Sequence, residues 1–187
     1  TWEDLFSDLK DRGLRSVDLV ISDGHKGIQN AVQRSFHGCS WQMCQVHFIR
    51  AILKKIPRKD HKSVVAILKD SLNDPRRLQE CILELESRGF SRAADTIERF
   101  QYDVRDYRSF PIDHWKRIRT TNLLERVNKE LKRRYRSVGA FPNDSSLLRI
   151  AGSILMDINE EWITSRRYLS DVGEISSADT GSEITAY

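Results

Sequence analysis

The opening segment TWEDLFSDLKDRGL sets Leu5, Phe6 and Leu9 on one side of a helical repeat. Thr1 is positioned to cap that helix and Gly13 to end it. VDLVISDG follows, a short run rich in Val and Ile that closes on Asp-Gly, the pattern of a buried strand and its turn. Ile28, Val32 and Phe36 return to helical spacing, and SWQMCQVHF reads as a second strand. The order strand, helix, strand predicts a right-handed parallel unit.

After Phe48 the strand signals stop. Ile49 to Ile56, Lys62 to Leu72, Pro75 to Ser87 and Ser91 to Tyr107 carry apolar positions at helical period. Pro75 suits a first helical turn and Gly89 a helix end. SFPIDHW reads as a linker with turn chemistry. A basic helix follows from about Thr120, then the turn GAFPNDSS and a long amphipathic helix from Ser145 to about Trp162. From Ser170 onward the chain is rich in Ser, Asp, Gly and Thr and is expected to be disordered. The pattern therefore predicts an α/β chain, predominantly helical, with a helical block between its second strand and its basic helix.

With 187 residues, 39% hydrophobic and 31% charged, the chain fits one globular domain, or one domain plus an insertion. No apolar run approaches membrane-spanning length, and no signal peptide is visible. The lack of an initiator Met suggests a fragment. Three cysteines argue against a disulfide framework and for a reducing compartment. The net charge of +4 hides an asymmetry: Lys116 to Arg136 holds nine basic residues against Glu125 and Glu130, whereas Asp171 to Tyr187 holds four acids and no base. A basic block can bind a polyanion, and by itself it is more simply a solvated helix face.

Two carboxylates stand out. Asp23 ends a buried strand, the edge where sites form in open α/β sheets, although Asp-Gly is also ordinary turn chemistry. Asp18 lies five positions earlier, on the opposite face of a regular strand, and is a poor metal partner for it. Glu125 heads a helical row with Lys129, Lys132 and Arg136, about a third of a turn from the apolar stripe Leu124, Val127, Leu131 and Tyr135. Cations in a row can track a phosphate backbone, and an acid at their head tolerates phosphate when a divalent cation lies between. Glu125 also completes a capping-box pattern with Asn122 and pairs favourably in sequence with Lys129, and these readings are compatible. His37, Cys39, Cys44 and His47 invite a zinc reading, but their spacing argues against it. Cys44 as buried packing and His47 as a positioning residue fit better.

VISDGHKGIQNAVQRSF, WQMCQVHFIR and TTNLLERVNKELKRRYRSVGAFPNDSSLLRIAGSILMDINEEW together resemble the Mutator-type transposases, the bacterial insertion-sequence branch in particular, from about Val17 to Trp162. The resemblance implies a ribonuclease H-like fold with an all-α insertion and a DDE triad, in which Asp23 is the second acid and Glu125 the third. It makes Cys44, His47 and Arg126 family-signature residues. It divides the chain into a core remnant (1–48), a helical insertion (49–112), carboxy-terminal core helices (113–169) and a tail (170–187). It implies Mg²⁺ as the divalent ion, transposon-end and target DNA as partners gripped by Lys129, Lys132, Arg133 and Arg136, a homo-oligomer at full length, and a bacterial, nucleoid-associated cytoplasmic location without membrane attachment. The family's first acid lies on an earlier strand, so the resemblance implies an amino-terminally truncated fold with little strand transfer from this chain alone. The alternatives are a non-catalytic DNA-binding remnant of a transposase and, more weakly, a helical module that binds an acidic protein.

Overall fold

The structure, a computed structural model, describes residues 1–72, 74–164 and 169; the expected disordered tail lies outside the described residues. The first helix, α1 (Trp2–Asp11), has Thr1 as its N-cap in a reciprocal capping box with Asp4. Gly13 follows at φ 105°, a left-handed conformation that glycine adopts without steric cost. Strand β1 (Leu19–Ser22) and helix α2 (Lys26–Ser35) lead to strand β2 (Ser40–Met43). The two strands pair in parallel with Leu19 opposite Ser40 and Ser22 opposite Met43. Phe6 from α1 and Ile28, Ala31, Val32 and Phe36 from the α2 region make one small core, against which Val20 and Trp41 of the sheet pack. Among the described residues β1 pairs only with β2, and all four of its residues are half-buried.

The second strand is shorter than SWQMCQVHF predicts. It ends at Met43, and Gln45–Leu53 forms α3 with Cys44 as its N-cap residue. The cause is local. The Cys44 N–H donates to the Ser22 carbonyl at 2.8 Å, closing the ladder, and the Cys44 carbonyl then accepts from the Phe48 N–H at 2.9 Å to open a helix. Phe48 and Ile52, four apart, drop to zero exposure on one face of that helix.

A helical block continues with α4 (His61–Ser71), α5 (Pro75–Ser87) and α6 (Ser91–Phe100). The last ends seven residues short of the expected Tyr107, where the chain passes through a short 3-10 turn, Asp106–Ser109. Val64, Leu68, Leu78, Ile82, Leu85 and Ile97 meet Phe48 and Ile52 in a second, larger core. The expected linker SFPIDHW is instead mostly helix: α7 (Ile112–Ile118) starts directly after Pro111 and buries His114. Pro111 supplies the turn chemistry, and its fixed φ also suits the entry to a helix. The basic helix is α8 (Asn122–Val138), and α9 (Asp144–Thr164) turns back against it. Among the described residues the chain is thus α/β and predominantly helical, with one small parallel sheet.

Candidate active site

Asp23 sits one residue beyond β1, and its Oδ1 accepts from the His25 N–H at 3.3 Å. Asp18 precedes the same strand and so stands at its other end. The turn after Asp23 presses on the helical block: a Cβ at Gly24 would lie 3.2 Å from the Phe100 ring and 3.3 Å from the Met43 methyl. Glycine there allows the strand end and α6 to approach closely. A cleft of about 820 Å³ opens beside it, lined by Asp23, His25, His47, Arg50, Lys54 and Arg99 among others.

Glu125 reaches two of the same α3 side chains. Its Oε1 lies 3.7 Å from His47 Nε2 and 3.6 Å from an Arg50 guanidinium nitrogen. His47 and Arg50 thus line the Asp23 cleft and also face Glu125, which links the two carboxylates through α3. The ion pair of Glu125 runs across to Arg50 on α3 rather than along its own helix to Lys129. His47 Nδ1 is buried without a hydrogen-bond partner.

What holds α8 in this place is a set of polar stitches between β2–α3 and the α7–α8 junction. The Gln42 side chain, fully buried, donates to the Ile118 carbonyl at 2.9 Å and accepts from the Tyr107 N–H at 2.5 Å. The Gln45 N–H donates to the Arg119 carbonyl at 3.1 Å. Cys44 Sγ accepts from the Thr121 N–H at 3.3 Å and from the Thr121 hydroxyl at 3.4 Å. Thr121 is the N-cap residue of α8 but makes no side-chain cap bond, because its hydroxyl is turned to Cys44. The expected Asn122–Glu125 capping box does not form, because Thr121 is the N-cap residue and Asn122 already the first helical one; Glu125 sits in the first turn of α8, near the positive end of the helix dipole.

Glu125, Asn128, Lys129, Lys132, Arg133 and Arg136 line a groove of about 610 Å³ along α8. Arg126 is exposed and does not line it. Arg133 is committed elsewhere: it donates twice to the Glu130 carboxylate, at 2.8 and 2.6 Å, and Arg134 donates to the same group at 3.0 Å. These hydrogen bonds, Arg133 first, hold the Glu130 carboxyl down at about 2. Of the expected apolar stripe Val127, Leu131 and Tyr135 are half-buried, while its first member, Leu124, is exposed and Leu123 takes its place.

Cys39 precedes β2 and Cys44 follows it, so the strand separates the two sulfurs expected to be poor zinc partners, and His37 is exposed. Among the described residues no three His, Cys, Asp or Glu side chains gather as a metal-binding group. Gln42, Arg50 and Thr121 are the site residues that sequence reasoning missed. Arg50 stands one helical turn from His47, a signal the helical reading of this segment would have offered.

Among the described residues no helix is long and apolar enough to cross a membrane. The sequence model of the family described as "Transposase, Mutator family" matches residues 1–165. The chain is 38% identical over 183 residues to the transposase for insertion sequence element IS256 in transposon Tn4001 of Staphylococcus aureus, covering 91% of this chain and 45% of the relative. It is 34% identical over 175 residues to the transposase for insertion sequence element ISRM5 of Rhizobium meliloti, covering 90% of this chain and 44% of the relative. The transposase for insertion sequence element IS1081 of Mycobacterium tuberculosis is 30% identical over 173 residues, covering 90% of this chain and 42% of the relative. The chain thus spans less than half the length of the curated relatives it matches. By a family match that runs through both strands, the helical block and the Glu125 helix, the chain belongs to the Mutator family of transposases.

Proposed function

We propose that this chain carries part of a DDE-type, metal-dependent DNA cleavage and strand-transfer centre on a ribonuclease H-like core, with Asp23 and Glu125 as two of its acids. The observation that carries the reading is the bridge: His47 and Arg50 line the Asp23 cleft and both lie within 3.7 Å of Glu125. Family membership and the placing of Asp23 directly after a parallel strand support it further.

The donor chemistry fits Mg²⁺. That ion takes hard oxygen ligands and is commonly held by one or two carboxylates, waters and substrate phosphates rather than by an all-protein cage. Asp23 and Glu125 are such oxygens, and both are partly open to solvent. When bound, the ion supplies Lewis-acid polarisation and a more acidic attacking hydroxyl. The residues of the chain do the rest. Arg50 and His47 hold the Glu125 carboxylate at a fixed distance from α3, and Lys129, Lys132 and Arg136 take the phosphates of transposon-end and target DNA. We place this work in the bacterial cytoplasm, at the nucleoid, in a homo-oligomer.

The test is strand joining in a reconstituted protein of the relatives' length. Asp23→Ala and Glu125→Ala each lower joining on the order of 10³-fold or more while DNA binding is kept. Normal joining with either substitution removes that residue from the chemistry. The alternative is a non-catalytic DNA-binding remnant, supported by the exposed cations Lys129, Lys132 and Arg136 along α8, whose attraction for phosphate needs no metal. It predicts salt-sensitive DNA binding that Mg²⁺ does not alter.

A further inference from the structure

The cations expected to meet DNA all lie on α8, yet the Asp23 cleft carries its own. His47, Arg50 and Lys54 recur at helical spacing on one face of α3. Lys55 follows, and Arg99 enters from α6 across the cleft. Against Arg50, Lys54, Lys55 and Arg99 stand only Asp23 and Asp95. Two of these cations are held in place: Lys55 donates to the Thr96 hydroxyl, and the Arg99 guanidinium lies 4.9 Å from the centre of the Phe100 ring. Arg50 is within ion-pair reach of Glu125. Lys54 and Arg99 are exposed.

The placement follows from the fold. Lys54 caps the carboxyl end of α3 and Arg99 lies in the last turn of α6, where cations offset the exposed carbonyls. That effect accounts for each cation separately. It does not account for both helix ends facing the turn that carries Asp23. Two cationic rows result, one along α8 from Glu125 through Lys129 and Lys132 to Arg136, the other along α3 and α6 from Arg50 through Lys54 to Arg99. They meet at Glu125.

We infer that the α3–α6 cleft is a second binding site for a nucleic-acid phosphodiester backbone, so that the helical block forms a wall of the DNA path beside Asp23. This inference rests on the proposed DNA-transposing role. The ligand chemistry is a chain of phosphates, because the cations are spaced along a path that ends at two carboxylates.

The test is lysine footprinting of the whole chain by acetylation and mass spectrometry, with and without single-stranded or duplex DNA. Lys62, an exposed lysine outside both rows, is the internal standard. The expected result is protection of Lys54 together with Lys129 and Lys132 by at least one form of DNA, which also states whether the cleft prefers one strand or two. In parallel, the Lys54→Ala/Arg99→Ala double variant lowers the slope of log affinity against log salt by about 1.4 to 1.8, at ~0.7 to 0.9 per lost phosphate contact. If Lys129 and Lys132 are protected while Lys54 stays as reactive as Lys62, the cleft site is overturned and the role of α8 stands. If no lysine is protected, the DNA-binding role itself fails. If polyglutamate of matched charge protects Lys54 as well as DNA does, the site is for acidic protein and the inference is overturned.

Discussion

The helical block and the α8–α9 hairpin are both built from amphipathic helices, but they are held by different forces. In the block, Phe48, Ile52, Val64, Leu68, Leu78 and Ile97 are fully buried. In the hairpin, α8 buries no residue and α9 buries only Ile154, while Leu148, Met156 and Ile163 are about two-thirds exposed. The block is stabilised by apolar area removed from water, roughly 1.5–3 kcal/mol for each large side chain. The hairpin has little of that. The turn between its helices packs back on α8 through the edge-to-face pair of Tyr135 with Phe141, 5.7 Å between centroids. Its position on the sheet is set at its root by Gln42, Gln45 and Cys44. A few polar contacts thus decide where Glu125 stands, in a region that contributes little to global stability.

The largest effect that sharpens this contrast is a truncation in each region. Leu78→Ala or Ile97→Ala costs about 2–5 kcal/mol, because a cavity is left among fully packed neighbours. Leu131→Ala, half-buried on α8, costs less than about 1.5 kcal/mol. Urea unfolding followed by circular dichroism measures both. Equal costs would mean that α8 has a buried face after all.

A smaller effect separates position from stability. Gln42→Leu leaves the Tyr107 N–H and the Ile118 carbonyl without their partner, a penalty of about 1–3 kcal/mol. Hydrogen exchange should quicken in the first turn of α8 more than in α5. Thr121→Val removes only the hydroxyl-to-sulfur bond and acts in the same direction by about 0.5–1.5 kcal/mol. Faster exchange in α5 with no change in α8 would break the proposed link between the stitches and the hairpin.

The smallest effect concerns Glu130. Its carboxyl is held at about 2 by Arg133 and Arg134. A depressed carboxyl keeps its pairing above the ordinary carboxylate range and loses it as pH falls through the folded value. The pair should therefore persist from pH 7 down to about 3, with a carboxyl titration by NMR centred near 2. Glu130→Gln releases both arginines and removes an acid from the cationic face, so DNA affinity rises and the salt slope steepens by about one.

Much of this architecture can be read directly from the residues, for identifiable reasons. Asp74 capping a helix that begins at Pro75, with Gly89 just beyond its end, marks α5 at the expected residues, since cap chemistry is local. Asp-Gly after an apolar run locates Asp23 at a strand end for the same reason. The strand-to-helix switch at Cys44 is hidden because a short apolar run serves either state, and only the Ser22–Cys44 bond decides. Helix α7 is hidden by its length of seven residues and by the turn-forming Pro111 ahead of it. The surroundings of Glu125 are the least legible feature. Its partners His47 and Arg50 lie more than seventy positions earlier, and no local pattern announces contacts made across that distance.

The central claim is that Asp23 and Glu125 serve one centre across the His47–Arg50 bridge. Its most direct measurement is a Mn²⁺ titration of the DNA-bound chain, read as paramagnetic broadening of the Gly24 and Arg126 amides. A shared centre predicts that both amides broaden together at the same Mn²⁺ concentration, and that Glu125→Gln weakens the broadening at Gly24 as well as at Arg126. Broadening of one amide without the other, or a Gly24 response untouched by Glu125→Gln, would contradict it.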